Sequence, residues 1–311
     1  MPEQRFVPSV SQLRVFLSVA EHLHFRVAAE ELGMSQPSLS QALATLEDGL
    51  GVHLVERSTR SVLVTPAGSQ LLPYARAAVD AMDAVVDAAA GSGGPLFGPL
   101  RIGVIPTAAP YLLPGLLPAL AHAFPDLRPR IVEDQTSRLL DGLRTGAVDL
   151  ALMALPTEAA GVSATPLYTE PFALLVPAGH ELAGREGLPV DALVGQPLLL
   201  LDEGHCLRDQ TVELCRRVST PVLGRGESRA ASLSTAVRCV AGGLGVTLVP
   251  ESAVGPESTD PGIAVARFAE PAAGRTMGMV LRTTTASGEG YARFGEVVTE
   301  VAGELFGATP V

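Results

Sequence analysis

Cys206 and Cys215 stand nine positions apart in Gly204-His205-Cys206-Leu207-Arg208-Asp209-Gln210-Thr211-Val212-Glu213-Leu214-Cys215, a stretch whose apolar positions suit a helix better than a strand. Nine helical steps put the two Cα atoms ~13 Å apart and on opposite faces, whereas a disulfide needs Cα atoms within roughly 7 Å. Pairing of these thiols within one chain therefore requires the helix to come apart, so oxidation would be a conformational event. His205 and Arg208 offer positive charge or hydrogen bonds to a thiolate at Cys206, and Asp202-Glu203-Gly204 reads as a loop entering a helix. Helix N-termini and nearby cations are the settings that turn a thiol into a nucleophile. Cys215 lacks such neighbours on its N-terminal side, although Arg216 and Arg217 follow it. Cys206 is thus cast as the attacking thiol and Cys215 as the resolving one, against the plainer reading of two small buried hydrophobes. Cys239, in the apolar run Ala236-Val237-Arg238-Cys239-Val240-Ala241, is expected in the core. The cysteines lack zinc-site spacing, and Gly242-Gly243-Leu244-Gly245 precedes a strand, the wrong context for a dinucleotide fingerprint. No metal and no cofactor are expected.

The elements that position these thiols belong to a chain of 311 residues with 47% hydrophobic content, enough for a sizeable core and two or three domains. No apolar run reaches the ~18 residues of a membrane span, and Met1-Pro2-Glu3-Gln4-Arg5 carries no signal-peptide pattern. A cytoplasmic protein away from membranes is expected, and in that compartment a disulfide is transient. The net charge is −11 and all 22 basic residues are arginine. Such acidity argues against nonspecific attraction to nucleic acid, while leaving room for a small DNA-reading module on a larger acidic body.

The first ninety residues read as such a module. Leu13, Phe16, Leu17 and Ala20 mark one amphipathic helix, and Ala28, Ala29 and Leu32 line a second. Gly33-Met34-Ser35 supplies a tight turn, and a third helix runs from about Gln36 to Leu50, with Ser35 as its cap and Pro37 in its first turn. This is a helix-turn-helix pattern. Leu39, Leu43, Leu46 and Leu50 share its core face, leaving Gln36, Pro37, Ser38, Gln41 and Thr45 to reach base edges and phosphates. Residues 54–64 read as a hairpin whose Arg57 and Arg60 would press on the sugar-phosphate backbone as a wing. Thr65-Pro66 then caps a long helix to about residue 90, with Leu72, Ala75, Val79, Met82, Val86 and Ala89 as a seam expected to pair with a second copy. Gly91-Ser92-Gly93-Gly94-Pro95 ends the module as a linker. Residues 1–90 hold six arginines against ten acids, a net of −4, so few phosphate contacts and a shallow salt dependence are expected.

Beyond the linker, strand-like runs at 100–105, 130–132, 148–153, 172–176, 198–201, 246–249 and 277–281 alternate with helical stretches at 112–123, 136–145, 206–217, 232–242 and 290–306. Alternation implies an α/β architecture with largely parallel sheets, in which ligands gather at the carboxyl ends of strands. Thr107, Thr136 and the Cys206 loop fall at such ends.

The run Ala28-Ala29-Glu30-Glu31-Leu32-Gly33-Met34-Ser35-Gln36-Pro37-Ser38-Leu39-Ser40, then Leu46-Glu47-Asp48-Gly49-Leu50-Gly51, Arg57, Arg60 and Thr65-Pro66-Ala67-Gly68, resembles the LysR-type transcriptional regulators. That resemblance implies a winged helix-turn-helix domain (1–65), a linker and dimerisation helix (66–90), a hinge (91–99) and a regulatory region (100–311) of two α/β lobes like those of periplasmic binding proteins. Lobe I would comprise about 100–168 and 269–311, and lobe II about 169–268, with the chain crossing near 166–170 and 267–270. Ile102-Gly103-Val104-Ile105-Pro106-Thr107, Tyr111-Leu112-Leu113-Pro114 and the segment from Glu203 to Cys215 resemble the family's peroxide-sensing members. By that resemblance Cys206 is peroxidatic and Cys215 resolving, and Thr107, Thr136, His205, Asp209 and Arg275 surround the peroxide, with Arg208 beside them. The implied protein is not an enzyme but a peroxide-responsive regulator of antioxidant genes. It would bind double-stranded DNA as a homotetramer, a dimer of dimers, and engage RNA polymerase. A LysR-type regulator answering a small organic effector is the alternative, and a thiol peroxidase a more distant one.

Overall fold

The computed structural model describes residues 6–57, 62–89, 96–157, 159–217, 229–285 and 288–311. The chain divides near residue 94 into two compact units.

The N-terminal unit begins with α1 (Val10–His22), α2 (Phe25–Glu31) and α3 (Gln36–Leu50). Each start has a local cause. Ser9 and Gln12 form a reciprocal capping box on α1, and Ser35 Oγ accepts from the Ser38 N–H at the head of α3. Gly33, at φ +64, makes the turn before α3 in a conformation that favours glycine. Leu39, Leu43 and Leu46 are fully buried with Phe16, Val19 and Ala28, each large side chain contributing roughly 1.5–3 kcal/mol. Strands β1 (Val55–Arg57) and β2 (Val62–Val64) pair antiparallel as the expected hairpin, and residues 58–61, which include Arg60, lie outside the described residues. Helix α4 (Pro66–Ala89) starts at Thr65, whose Oγ1 accepts from the Gly68 N–H and donates to the His53 carbonyl.

The seam expected along α4 divides. Ala75 and Val79 are buried in the unit's own core, and Arg14 of α1 pairs with Asp83. Tyr74 (73% exposed), Met82, Val85 (63%) and Val86 face outward together with Ala78 and Ala81. The stripe from 72 to 79 therefore packs against α1, and the apolar residues left uncovered form a different one, Tyr74-Ala78-Ala81-Val85, at alternating steps of four and three. Residues 90–95, with most of the expected hinge, lie outside the described residues.

The second unit comprises β3 (Gly98–Val104), α5 (Ala109–Ala123), β4 (Leu127–Glu133), α6 (Thr136–Thr145), β5 (Leu150–Leu155), β6 (Val162–Pro177), β7 (Leu200–Leu201), α7 (Cys206–Arg217), β8 (Arg229–Ala230), α8 (Leu233–Ala241), β9 (Thr247–Pro250), α9 (Glu251–Glu257), β10 (Ile263–Arg267), β11 (Gly274–Arg282), α10 (Glu289–Phe306) and β12 (Thr309–Pro310). Two α/β lobes share one curled sheet ordered β10-β6-β11-β5-β3-β4, with β9 and β12 also on β6. One apolar cluster is built on β3, β5, β11, α5 and α10, and a second on the C-terminal half of β6, β9, β10, α7 and α8.

Strand β6 joins them. Its residues up to Pro171 pair with β11, and from Phe172 onward it pairs with β9 and β10. Pro166 is tolerated because the register shifts there: Gly278 faces Pro166 and Met277 faces Tyr168, leaving Leu167 as a bulge. The sheet is less parallel than expected. Among the described strands, β3–β4, β3–β5 and β7–β8 run parallel, while β5–β11, β6–β11, β6–β9, β6–β10 and β6–β12 are antiparallel. For β6–β11 the reason is topological: the strand that carries the chain out to the second lobe and the one that brings it back lie side by side in opposite directions.

Candidate functional site

Cys206 is the first residue of α7, and Cys215 lies in its last turn. The helix is continuous between them, as the spacing predicts. Cys206 is half-buried against the first lobe's apolar cluster, whereas Cys215 is 0% exposed within the second lobe's core. Burial pushes the Cys215 thiol above its ordinary pKa. Cys239 is half-buried, not in the core as expected: Leu233, Ala236, Val237 and Val240 make the buried stripe of α8, and position 239 falls beside it.

Three strand ends converge at Cys206. Thr107 follows β3, Thr136 opens α6 after β4, and His205 and Cys206 follow β7. They line a narrow, closely packed recess together with Ile105, Pro106, Gln135 and Gly204. On its other side Cys206 borders a cleft of about 510 Å³ between the lobes, where Thr136, Asp209 and Arg275 also stand. Arg208 lines neither: its guanidinium reaches the Leu201 carbonyl at 3.5 Å and Glu203 at 3.7 Å. Two helical steps rotate a side chain by about 200°, so Arg208 points away from the face that carries Cys206.

The recess is polar and incompletely satisfied. Among the described residues, the buried side-chain atoms without a hydrogen-bond partner are Thr136 Oγ1, His205 Nδ1, Gln210 Oε1 and Ser252 Oγ. Thr136 and His205 line the recess with Cys206, and Gln210 lines the adjoining cleft. An unpartnered buried polar atom costs roughly 1–3 kcal/mol, so a small guest that hydrogen-bonds Thr136 Oγ1 and His205 Nδ1 beside the thiol would offset that cost.

Arg275 sits one bond behind this recess. Its Nη1 donates to Thr107 Oγ1 at 2.9 Å and its Nη2 to the Thr107 carbonyl at 3.1 Å. Its Nε and Nη2 also bind Glu170 Oε1 at 2.9 and 2.8 Å, in an ion pair with both side chains 0% exposed. Burial alone would lower the Arg275 pKa; the negative charge of Glu170 and its hydrogen bond outweigh it and hold the guanidinium above its usual value.

Sequence reasoning missed Glu170, Gln135 and Gln210. Gln135 donates to the Glu203 carbonyl at 3.2 Å, tying the α6 entry to the Cys206 loop, and a Cβ on Gly204 (φ +93) would collide with it. Tyr111 and Glu257 were also unmarked; the α5 tyrosine donates to the α9 carboxylate at 2.8 Å, a second polar link between the lobes. The Tyr111-Leu112-Leu113-Pro114 run was noted for its resemblance, yet nothing in it pointed to Glu257, 146 residues away.

On the helix-turn-helix, Gln36, Pro37, Ser38, Gln41 and Thr45 are exposed along α3. Ser38 Oγ is engaged with Ser35 Oγ at 2.8 Å, and Thr45 Oγ1 donates back to the Gln41 carbonyl at 2.8 Å. Arg57 closes β1.

Comparisons with known proteins agree with this geometry. Residues 10–69 match the bacterial regulatory helix-turn-helix model of the LysR family, and residues 93–303 match the LysR substrate binding domain. A probable hydrogen peroxide-inducible genes activator of Mycobacterium leprae is 50% identical over 301 residues, covering 97% of this chain and 96% of that protein. OxyR of Escherichia coli K12, a DNA-binding transcriptional dual regulator, is 39% identical over 93% of this chain and 94% of its own. A hydrogen-peroxide-bound cysteine-to-serine variant of Corynebacterium glutamicum OxyR superposes with a TM-score of 0.69 at 47% identity, covering 97% and 95% of the two chains. Full-length Pseudomonas aeruginosa OxyR, also a cysteine variant, gives 0.79 at 34% identity over 98% of each. A helix-turn-helix unit joined by a long helix to a two-lobed α/β unit, matched by both models and by OxyR proteins over nearly its whole length, places this chain in the LysR family of DNA-binding transcriptional regulators.

Proposed function

We propose that this chain is a hydrogen-peroxide-responsive regulator of antioxidant genes, switched at Cys206. The observation that carries the reading is a thiol at the start of α7 facing a recess where Thr136 Oγ1 and His205 Nδ1 are buried without a hydrogen-bond partner. Its likeness to a probable hydrogen peroxide-inducible genes activator and to hydrogen-peroxide-bound OxyR supports it. In the proposed step the Cys206 thiolate attacks one peroxide oxygen, the O–O bond breaks, and its electron pair leaves with the second oxygen as hydroxide. Thr107, Thr136 and His205 offer hydrogen bonds to the two oxygens, and Arg275 and Asp209 stand at the cleft side of the sulfur. The sulfenic acid then condenses with the Cys215 thiol, releasing water and forming the disulfide. Because α7 separates the two sulfurs, it must unwind for this to happen, and that rearrangement is the signal.

The readout we propose is a cytoplasmic homotetramer, a dimer of dimers, on double-stranded DNA, acting on RNA polymerase. Residues 1–65 read the operator through α3 and the Arg57/Arg60 wing, and 66–90 pair with a second copy. The uncovered Tyr74-Ala78-Ala81-Val85 stripe supports that pairing. Residues 100–311 sense the oxidant, and 91–99 connect the two.

The interlobe cleft favours a second reading, a small organic effector bound there. A DNA footprint of Cys206→Ser before and after peroxide separates the two: loss of the peroxide-dependent change is expected, and a change retained by the variant would sink the sensor reading.

A further inference from the structure

We infer that Glu170 is a positioning residue for peroxide reduction, acting through Arg275 to aim the hydroxyl proton of Thr107 into the recess; the inference rests on the reading of Cys206 as a peroxide-reactive thiol. Glu170 and Arg275 face each other across the β6–β11 ladder. Glu170 Oε1 accepts from Arg275 Nε and Nη2, and its Oε2 accepts from the Ser252 N–H at 3.0 Å. Both carboxylate oxygens are thereby held, and they fix the plane of the guanidinium. The guanidinium in turn donates to Thr107 Oγ1 and the Thr107 carbonyl.

A threonine hydroxyl has one donor and two acceptor positions, and its rotor turns to suit its neighbours. With a charged donor occupying one lone pair, the Thr107 proton is turned away from Arg275. Thr107 is 1% exposed and lines the recess with Cys206. The proton is therefore available to the peroxide oxygen that leaves as hydroxide when the thiolate takes the other oxygen. Glu170 lines neither the recess nor the cleft, so it reaches the reaction through Arg275, and the alkylation control below reads any effect of the guanidinium's charge on the sulfur itself.

The test compares two reactions of the same sulfur in the full-length protein: oxidation of Cys206 by hydrogen peroxide and its alkylation by iodoacetamide, each followed by mass spectrometry. Alkylation needs the thiolate and its exposure but no donor to a departing hydroxide. Glu170→Gln is expected to slow peroxide oxidation by about tenfold or more while alkylation stays within about twofold. In a Thr107→Val background the same change should add nothing, because the path ends at that hydroxyl. Equal slowing of both reactions, or effects of the two substitutions that simply multiply, would overturn the inference. If Glu170→Gln does not fold, Glu170→Asp keeps the charge, shortens its reach, and is read by the same ratio. A wild-type protein in which peroxide does not react preferentially at Cys206 would refute the sensor reading itself, a result distinct from any of these.

Discussion

At the scale of single residues, the two cysteines differ in what surrounds them, and the difference has a measurable cost. Cys215 is fully buried in the second lobe's core. Replacing its thiol with a hydroxyl strands a polar group there, so Cys215→Ser should lower unfolding stability by about 1–3 kcal/mol more than Cys215→Ala does, as urea titration would show. The raised thiol pKa adds a sign: stability from the buried neutral thiol is present below its ordinary pKa and lost as pH rises through the higher folded-state value. The margin of wild type over Cys215→Ala should therefore shrink in alkaline urea titrations, and a margin that widens there would contradict this burial account. Cys206, Thr107 and Thr136 were legible because each lies where a strand-like run gives way to a loop or a helix. Glu170 was not. It sits in Thr169-Glu170-Pro171, a stretch that looks like a turn, and its meaning comes from Arg275, 105 residues later. Arg208, close to Cys206 in sequence, lies on another face of α7 and reaches the Leu201 carbonyl and Glu203.

At the scale of elements, α7 is the part whose intactness and whose failure both matter. Thr211 is buried and hydrogen-bonds back to the Leu207 carbonyl at 2.7 Å, and Glu213 pairs with Arg216 and Arg217 one turn on. If α7 must open before Cys215 can reach Cys206, weakening the helix at an exposed site should speed disulfide closure without touching the first oxidation. Glu213→Gly costs the helix about 1 kcal/mol, which corresponds to an increase of up to about fivefold in the rate of disulfide formation measured after sulfenic acid appears. An unchanged closure rate would show that helix opening is not part of the barrier. Helix periodicity made α7 and α3 readable in advance. It served less well for α4, where one helix carries two apolar stripes and periodicity alone cannot say which the domain itself covers. The N-terminal half of β6 was hidden by Pro166 and Pro171, which break the strand pattern although a bulge accommodates the first of them.

At the scale of the whole molecule, an acidic chain has to find DNA with little basic surface. Among the few arginines of the first unit, Arg14 is paired with Asp83 and Arg26 with Glu30. Each neutralised phosphate adds ~0.9 to the slope of log affinity against log salt. Operator binding by this chain should thus show a shallower slope than that of a strongly basic LysR-family relative, and a steeper one would mean that phosphate contacts come from elsewhere. The α/β class was legible from alternation and the two lobes from the family resemblance, but the antiparallel pairing of the two crossing strands was not, because local pattern carries no direction. The account stands or falls on the sulfur chemistry that links this body to the DNA-reading unit. The most direct measurement is mass spectrometry of thiol connectivity in the full-length protein before and after stoichiometric hydrogen peroxide. The expected result is three free thiols before, and afterwards a Cys206–Cys215 disulfide with Cys239 still free. A stable sulfenic acid at Cys206 with no bond would remove Cys215 from the mechanism, and a Cys206 left unmodified would contradict the account as a whole.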